Sequence, residues 1–465
     1  MKKIFTLCAL LVALTVSADF RTIELDDNCD VREILKTDTM TLDSLKVKGY
    51  VNFHNLYFIS WMTNRKLKYI DFGESRFSND ELPDEGLNPT IFLYNTETGL
   101  YYSQLTKVIL PPTLKSIGAF AMAATRLESI DIPESVENIG VGAFHSCKHL
   151  EGEIKFPEGM TTLNNDCLYY CPYVESVRLP STLEVIKVNA LAGLIYLHEI
   201  KFPANLRQIE MSGCEAWYDF YGDLVIPAAT ESIGMWAFRS TKLNSLTFEA
   251  GSKIKVLPDE VFKGSLMNSL SLPENIEEIG KYAFYKCRVP EIIFPETLKS
   301  ISEWAFSNNY CLQRIVLPLN IENIGNKAFA QCANLSEVYV KAMKVPFIDE
   351  STFEHPGNMT LYVPVGAKEA YAAADYWKDF GEIVEVEEFP SAGREAVIAG
   401  GGNAARAFGA QGAAVIEGEG ARYAIFTTDG REVASGIADG RTEVPLPQGI
   451  YVARTGSASH RIAVR

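Results

Sequence analysis

The sequence predicts a repeat solenoid, β-rich with short helical or 3-10 turns, followed by a small all-β sandwich. Three observations carry this. A frame of apolar residues recurs about every 23 positions through the middle of the chain, composition shifts after Pro390, and 465 residues are too many for one compact core. Hydrophobic residues make up 47% and charged residues 22%, so the chain is a folded one. The 43 Lys and Arg against 59 Asp and Glu give a net charge of −16, which excludes a nucleic-acid-binding surface as the main business of the protein.

The first element is an export signal. Lys2 and Lys3 precede an apolar run from Ile4 to Val16, and Val16-Ser17-Ala18 offers small residues before a cut at Ala18/Asp19. The run is shorter than the roughly 20 apolar residues that span a bilayer. The reading is therefore a signal peptide over 1–18 and an exported mature chain.

The repeat is clearest in DIPESVENIGVGAFHSC (131–147), SLPENIEEIGKYAFYKC (271–287) and VLPLNIENIGNKAFAQC (316–332). The shared frame is L-x-x-I-x-[LIF]-P followed by I-G-x-x-A-F-x-x-C. Its Phe position falls at Met122, Phe144, Leu168, Leu191, Cys214, Phe238, Phe262, Phe284, Phe306, Phe329 and Phe353, in steps of 22 to 24. The first segment predicts a short strand with its aliphatic residues inward, ended by a proline that cannot donate to a ladder. The Ile before Gly fills the core from the opposite wall. The Gly (140, 234, 280, 325) is read as a bend of positive φ. One unit cannot bury its own apolar face, whereas stacked units bury a continuous core.

These residues resemble the BspA-type leucine-rich repeat family of bacterial surface proteins, over roughly residues 42–388. The resemblance implies an N-terminal cap within 19–104, repeats over about 105–364 and a closing segment over 365–390. Within the cap, 45–72 looks like the family's opening segment, with Leu67, Ile70 and Phe72 as its first strand. In the closing segment Ala370, Tyr371, Ala374 and Trp377 lie at helical spacing over the last core layer. Two places depart from the frame: an insertion in 73–104, and 206–223, which loses the Ala-Phe pair and gains Trp217, Tyr218, Phe220 and Tyr221.

The tail has no Lys and no Cys. Residues 391–414 are rich in Ala and Gly and read as a linker, and 415–465 read as short strands with a turn signal at Asp429-Gly430. The ending LPQGIYVARTGSASHRIAVR is similar to the C-terminal sorting domains of the type IX secretion route. That similarity implies passage across a Gram-negative outer membrane and attachment to surface lipopolysaccharide or release.

Little in the chain points to chemistry. No H-E-x-x-H, G-x-S-x-G, Walker A or paired C-x-x-C pattern is present. His145 and His149 lack a third ligand in the sequence, and the D-x-N-x-D at Asp26, Asn28 and Asp30 lacks the Gly and Glu of a calcium loop. No cofactor, metal or catalytic residue is assigned. Cys147, Cys171, Cys287 and Cys332 share one repeat position, read as a demand for small volume. A Cys147–Cys171 disulfide between neighbouring coils is the alternative in an oxidising compartment.

Binding is expected on the strand face, where the residue between Ile and the last aliphatic points outward. That column predicts a basic ladder of Lys155, Arg178 and Lys201, and an apolar and aromatic ladder of Ile293, Val316, Tyr339 and Tyr362. Residues 19–390 carry 33 Lys and Arg against 52 Asp and Glu, a net of −19, which favours basic partners. The family resemblance implies a non-catalytic scaffold for a protein or glycan ligand, such as a host matrix protein. The competing readings are a structural spacer without a ligand and a hydrolase with a hidden carboxylate pair.

Overall fold

A computed structural model of the chain describes residues 20–88 and 103–390 and, in the tail, 406–410, 413–417, 421–427, 432–438, 441–447, 449–455 and 458–464. The export signal lies outside the described residues, as does most of the segment read as a linker. The chain divides into two units, Met1–Phe389 and Pro390–Arg465.

The first unit is a β-solenoid of about 15 turns with few helices. Nearly every coil places one parallel strand on the first wall and a two-residue strand on the second, although the frame segment 127–132 lies on the first wall without forming a strand. On the first wall, Arg314–Leu317 pairs Glu337–Val340, which pairs Thr360–Pro364, and Glu382–Val386 closes the row. The strands end at the frame's prolines: Lys155 and Arg178 precede Pro157 and Pro180 by two residues. On the second wall the aliphatic residue at the Ile position of the I-G frame forms the rung, as in Val256–Leu257, Glu278–Ile279, Ser300–Ile301 and Asn323–Ile324. Between the walls runs a spine of buried rings. Phe238, Phe262, Phe284, Phe306, Phe329 and Phe353 stack in sequence with centroids 5.0–5.5 Å apart and planes within 15°.

One expectation changes at the corners. The repeated Gly does not adopt positive φ. A Cβ on Gly140 would stand 2.5 Å from Ala119 N, and one on Gly234 2.5 Å from Met211 N, so the residue is needed for close approach of neighbouring coils. The left-handed conformation sits instead two residues before and two after the Phe position, at Asp166 and Tyr170, Trp236 and Ser240, Tyr282 and Lys286, Trp304 and Asn308. There the N–H groups reach the next coil, for example Asp166 N to Val188 O (2.9 Å) and Trp304 N to Asn326 O (3.0 Å). Holding a non-glycine residue left-handed costs of order 1–2 kcal/mol. Part is offset by side-chain stacking: Tyr282 on Trp304 (5.8 Å, 12°), with Lys263 over Tyr282 and Lys327 over Trp304.

The cysteine column is a donor ladder. Cys147 Sγ donates to Met122 O, Cys171 Sγ to Phe144 O, Cys287 Sγ to Phe262 O and Cys332 Sγ to Phe306 O. The same role falls to Trp217 Nε1 on Leu191 O, Thr241 Oγ1 on Cys214 O, Ser265 Oγ on Phe238 O and Asn309 Nδ2 on Phe284 O. In each case the acceptor is the carbonyl at the Phe position of the preceding coil. The column therefore selects for a buried hydrogen-bond donor in each of these coils, Trp217 included despite its size, with Leu194 as an exception. Cys147 and Cys171 are free thiols, each spent on its own carbonyl, and no disulfide joins them.

At the N-terminus two strands precede the one expected first. Phe20–Leu25 pairs Ser44–Val51, which pairs Tyr69–Phe77, because Ile23 and Leu25, and Leu45 and Val47, alternate inward at the period of a strand. The helix Phe53–Thr63 lies between the second and third strands, with Asn52 Oδ1 accepting from Asn55 N as its cap. Part of the insertion is a working coil: Glu81–Leu82 pairs Ser116–Ile117 as the first described rung of the second wall. Residues 89–102 lie outside the described residues. At the other end Tyr371 and Trp377 are buried and donate to Ala342 O (2.8 Å) and Pro346 O (2.9 Å). The helix stops at Ala373, however, and Ala370 faces solvent, so the cover is a broken turn.

The second unit holds seven described strands in two antiparallel sheets, ordered 406–410, 413–417, 441–445 and 432–438, 421–427, 449–455, 458–464. Ala414, Ile425, Val444 and Tyr451 form its own small core. The strand Arg406–Ala410 falls inside the stretch read from composition as linker, so the folded module begins earlier than 415.

Candidate binding surface

The outward column of the first wall takes shape from the alternation of each strand. Lys155, Arg178 and Lys201 are exposed on three successive coils, with Arg178 opposite Lys155 in register. Two of the three are neutralised within the chain. Lys155 Nζ pairs with Glu134, and Arg178 pairs with Glu153 at 2.8 Å. Exposed pairs of this kind add little stability, yet they leave the trio with far less field than its sequence suggests.

The apolar ladder is mostly covered. Val316 is fully buried: its short side chain sits between the longer Ile293 and Tyr339 of the paired strands. Ile293, Tyr339 and Tyr362 are half-buried. Tyr339 and Tyr362 stack on each other at 4.2 Å and 8°, Arg314 lies 5.7 Å over Tyr339, and Phe389 meets Tyr339 edge-on at 6.5 Å. Arg314 is itself held by Glu291 and Glu337. Burial pushes the Tyr339 hydroxyl up to about 12. Phe389, which follows the strand Glu382–Val386, thus takes up part of the Tyr339 ring.

The sequence's other polar groups have structural employment. His145 lies between the rings of Phe120 and Tyr169. Asp30 caps the helix Val31–Leu35 by accepting from Arg32 N, and the Arg32 guanidinium holds its carboxyl down at about 2. Asp26 accepts from Asn28 N. Among the described residues no group of three His, Cys, Asp or Glu converges as a metal site. Burial pushes the thiols of Cys167 and Cys332 up to about 12, the reverse of what a nucleophile needs.

A surface that the strand-face argument overlooked lies at the corner leading into the strands Gly152–Lys155, Val174–Arg178 and Glu199–Ile200. Tyr173 and Tyr196 occupy the same position on neighbouring coils. They stack at 5.4 Å and 11° while remaining 50% and 43% exposed. With Glu151, Glu175 and His198 they line a shallow notch of about 230 Å³. Backbone bonds hold the rim, with Tyr196 N on Pro172 O (3.0 Å) and His198 N on Glu175 O (2.8 Å). The signal for the pair was in the sequence: two tyrosines 23 residues apart, in register with the repeat.

Comparison with known proteins follows from this geometry. The model of the BspA type leucine rich repeat region matches residues 95–216 and 231–360 in six copies. A leucine-rich repeat protein from Bacteroides ovatus is 22% identical over 69% of this chain and 84% of its own, with a TM-score of 0.49. A leucine rich cell surface protein from Faecalibacterium prausnitzii is 17% identical over 73% of this chain and 87% of its own (TM-score 0.33). The pneumococcal vaccine antigen PcpA is 17% identical over 75% and 80% (TM-score 0.30). A search of curated proteins gave no match.

Proposed function

Because the chain belongs to the BspA-type leucine-rich repeat family, we propose that it is an exported, non-catalytic scaffold that binds a protein or glycan at the cell surface or outside the cell. The observation that carries this reading is the repetition itself. A rigid core sets the same outward positions on coil after coil, so recognition residues can vary along the stack without disturbing the fold. Fold alone does not fix function, and other support comes from the ends of the chain. The N-terminus reads as an export signal, and the tail is similar to type IX sorting domains, which would deliver the protein to the outer surface of a Gram-negative cell and join it to lipopolysaccharide or release it. In this reading the tail's two sheets form that sandwich. No described helix is long and apolar enough to cross a membrane.

Adhesion to host or neighbouring cells is the role this arrangement suits. The contact residues are sought on the outward columns: Lys155, Arg178 and Lys201, and Ile293, Tyr339 and Tyr362. The test is a binding screen of the full mature chain against immobilised matrix proteins and glycans, with Tyr339→Ala/Tyr362→Ala alongside and folding followed by circular dichroism. A hit establishes the scaffold, and its loss in the folded double variant places the site on the C-terminal ladder. Absence of any hit favours a spacer, the role to which the half-buried ladder and the pairing of Lys155 and Arg178 also lend weight.

A further inference from the structure

We propose that the notch at Tyr173 and Tyr196 is a docking site for an arginine- or lysine-bearing segment of a protein partner. The inference rests on the scaffold reading and gives it a site and a ligand chemistry.

Three observations support it. First, the two rings keep about half their surface in water although they stack in register. Aromatic area held rigid at a surface suits recognition, because little rotamer entropy remains to be lost. Second, the carboxylates of Glu151 and Glu175 on the rim pair with no cation among the described residues. Two acidic groups close by do pair, Glu134 with Lys155 and Glu153 with Arg178, and so take up the nearest cations of the first wall. Lys148, in the corner between Cys147 and Glu151, lies over the Tyr170 ring instead, at 5.3 Å. Third, Glu175 is the extra residue of a β-bulge. Val174 pairs Gly152 and Ser176 pairs Glu153, so one residue is inserted where the strand meets the notch. A bulge re-aims a side chain and interrupts pairing, and here it interrupts the ladder beside the rings.

The chemistry selects the ligand. A ring face attracts a cation through its quadrupole, and neighbouring carboxylates add charge and hydrogen-bond acceptors. A planar guanidinium can lie against a ring while its N–H groups reach Glu151 or Glu175. A neutral sugar would use the rings and leave both carboxylates without a counter-charge, and an acidic chain would be repelled by them. The net charge of −19 on residues 19–390 steers basic segments toward the unit as a whole, and the notch supplies the place to dock.

The experiment measures binding of the full mature chain to a labelled peptide of alternating glycine and arginine by fluorescence anisotropy. A glycine–glutamate peptide and a neutral cello-oligosaccharide serve as comparison probes. Tyr173→Ala/Tyr196→Ala and Glu151→Gln/Glu175→Gln are each expected to weaken binding by about tenfold, while Glu322→Gln on a distant coil changes it by less than about twofold. Tyr173→Leu/Tyr196→Leu keeps apolar area without the rings and should behave as the alanine pair, which separates ring chemistry from a folding defect. The proposal is overturned if the tyrosine variants bind the basic peptide as the wild type does, since charge alone then suffices, or if the oligosaccharide or acidic peptide is the better ligand. Matrix-protein hits that survive in the notch variants would sink this site and leave the scaffold standing. Peptide binding at the notch without any matrix hit would keep the site and remove the adhesive role.

Discussion

The donor ladder makes a sharp prediction at Asn309. Its side chain is fully buried and serves three partners: Nδ2 donates to Phe284 O at 2.8 Å and to Phe306 O at 2.7 Å, and Oδ1 accepts from Cys287 N at 3.1 Å. Asn309→Leu keeps the branching and the number of side-chain heavy atoms, is somewhat bulkier, and removes all three bonds. Phe306 O retains the thiol of Cys332, so its loss is small. Phe284 O loses a donor worth about 1 kcal/mol net, and the Cys287 amide loses its acceptor, which costs about 1–3 kcal/mol for a buried unsatisfied group. The expected destabilisation is therefore roughly 2–4 kcal/mol, concentrated in the coils around 284–309. Urea unfolding followed by circular dichroism reads the total. Hydrogen exchange at the Cys287 amide reads the local term, which should speed up markedly. A variant within about 0.5 kcal/mol of wild type, with unchanged exchange at Cys287, would refute the claim that this column exists to satisfy the preceding carbonyl. Leu194 occupies the column in one natural coil and cannot donate, so the fold tolerates a single gap, but the prediction concerns energy and not survival.

Three further outcomes follow from the same structure. Phe306→Ala removes a ring stacked at 5.0 Å on Phe284 and 5.5 Å on Phe329, and should cost about 3–5 kcal/mol in denaturant unfolding. Thiol labelling of the folded mature chain should mark the half-buried Cys29 and Cys311 first. Cys147, Cys167, Cys171, Cys214, Cys287 and Cys332 should react only on unfolding, and rapid labelling of any of the six in native buffer would contradict their burial. The N-terminal cap should loosen in acid. The side-chain bond from Arg32 depresses the Asp30 carboxyl to about 2 in the folded chain, so its contribution is present above about pH 4 and is lost as pH falls toward 2. Asp30→Asn should remove that dependence in hydrogen exchange of Val31–Leu35.

Much of the fold was legible because a repeat multiplies weak signals. One L-x-x-I is ambiguous, whereas the same apolar frame at Leu312, Ile315 and Leu317 and again at Leu335, Val338 and Val340 is not, and all six are buried. What escaped was chemistry hidden behind size. Cys, Thr, Ser and Asn at one position suggest small volume, and only Trp217 hints that the shared property is a donor. The glycine was misread for a similar reason. Gly140 looks like a residue chosen for its φ, while the positions that need positive φ carry Trp236, Tyr282 and Trp304, which no propensity would nominate. Val316 was placed correctly on its strand, but its exposure depends on the longer side chains of the coils beside it. The Tyr173–Tyr196 pair is visible as a column in the sequence, but it lies at a corner, where the alternation of a strand says nothing about which side chains face outward.

These details also decide where specificity can reside. The ring spine, the donor ladder and the close-approach glycines fix the inward positions of every coil, and changes there cost several kcal/mol. The left-handed corner positions are bound by their bonds to the next coil, and several of their side chains are already consumed in cation and ring stacks. On the first wall the cations of Lys155 and Arg178 are paired, and the C-terminal rings of Tyr339 and Tyr362 stack on each other, with Phe389 edge-on to Tyr339. Among the exposed groups that the fold does not use, the rings of Tyr173 and Tyr196 and the carboxylates of Glu151 and Glu175 occur together in one notch. A scaffold that recognises through its exposed columns should therefore show its largest binding effects at this corner and its largest stability effects at the columns beneath it. Substitutions at Tyr173, Tyr196, Glu151 and Glu175 should change affinity with less than about 0.5 kcal/mol of stability, and Asn309→Leu should do the opposite. Paired measurement of affinity and unfolding on the two sets distinguishes a dedicated recognition corner from a surface whose binding falls whenever the stack is weakened.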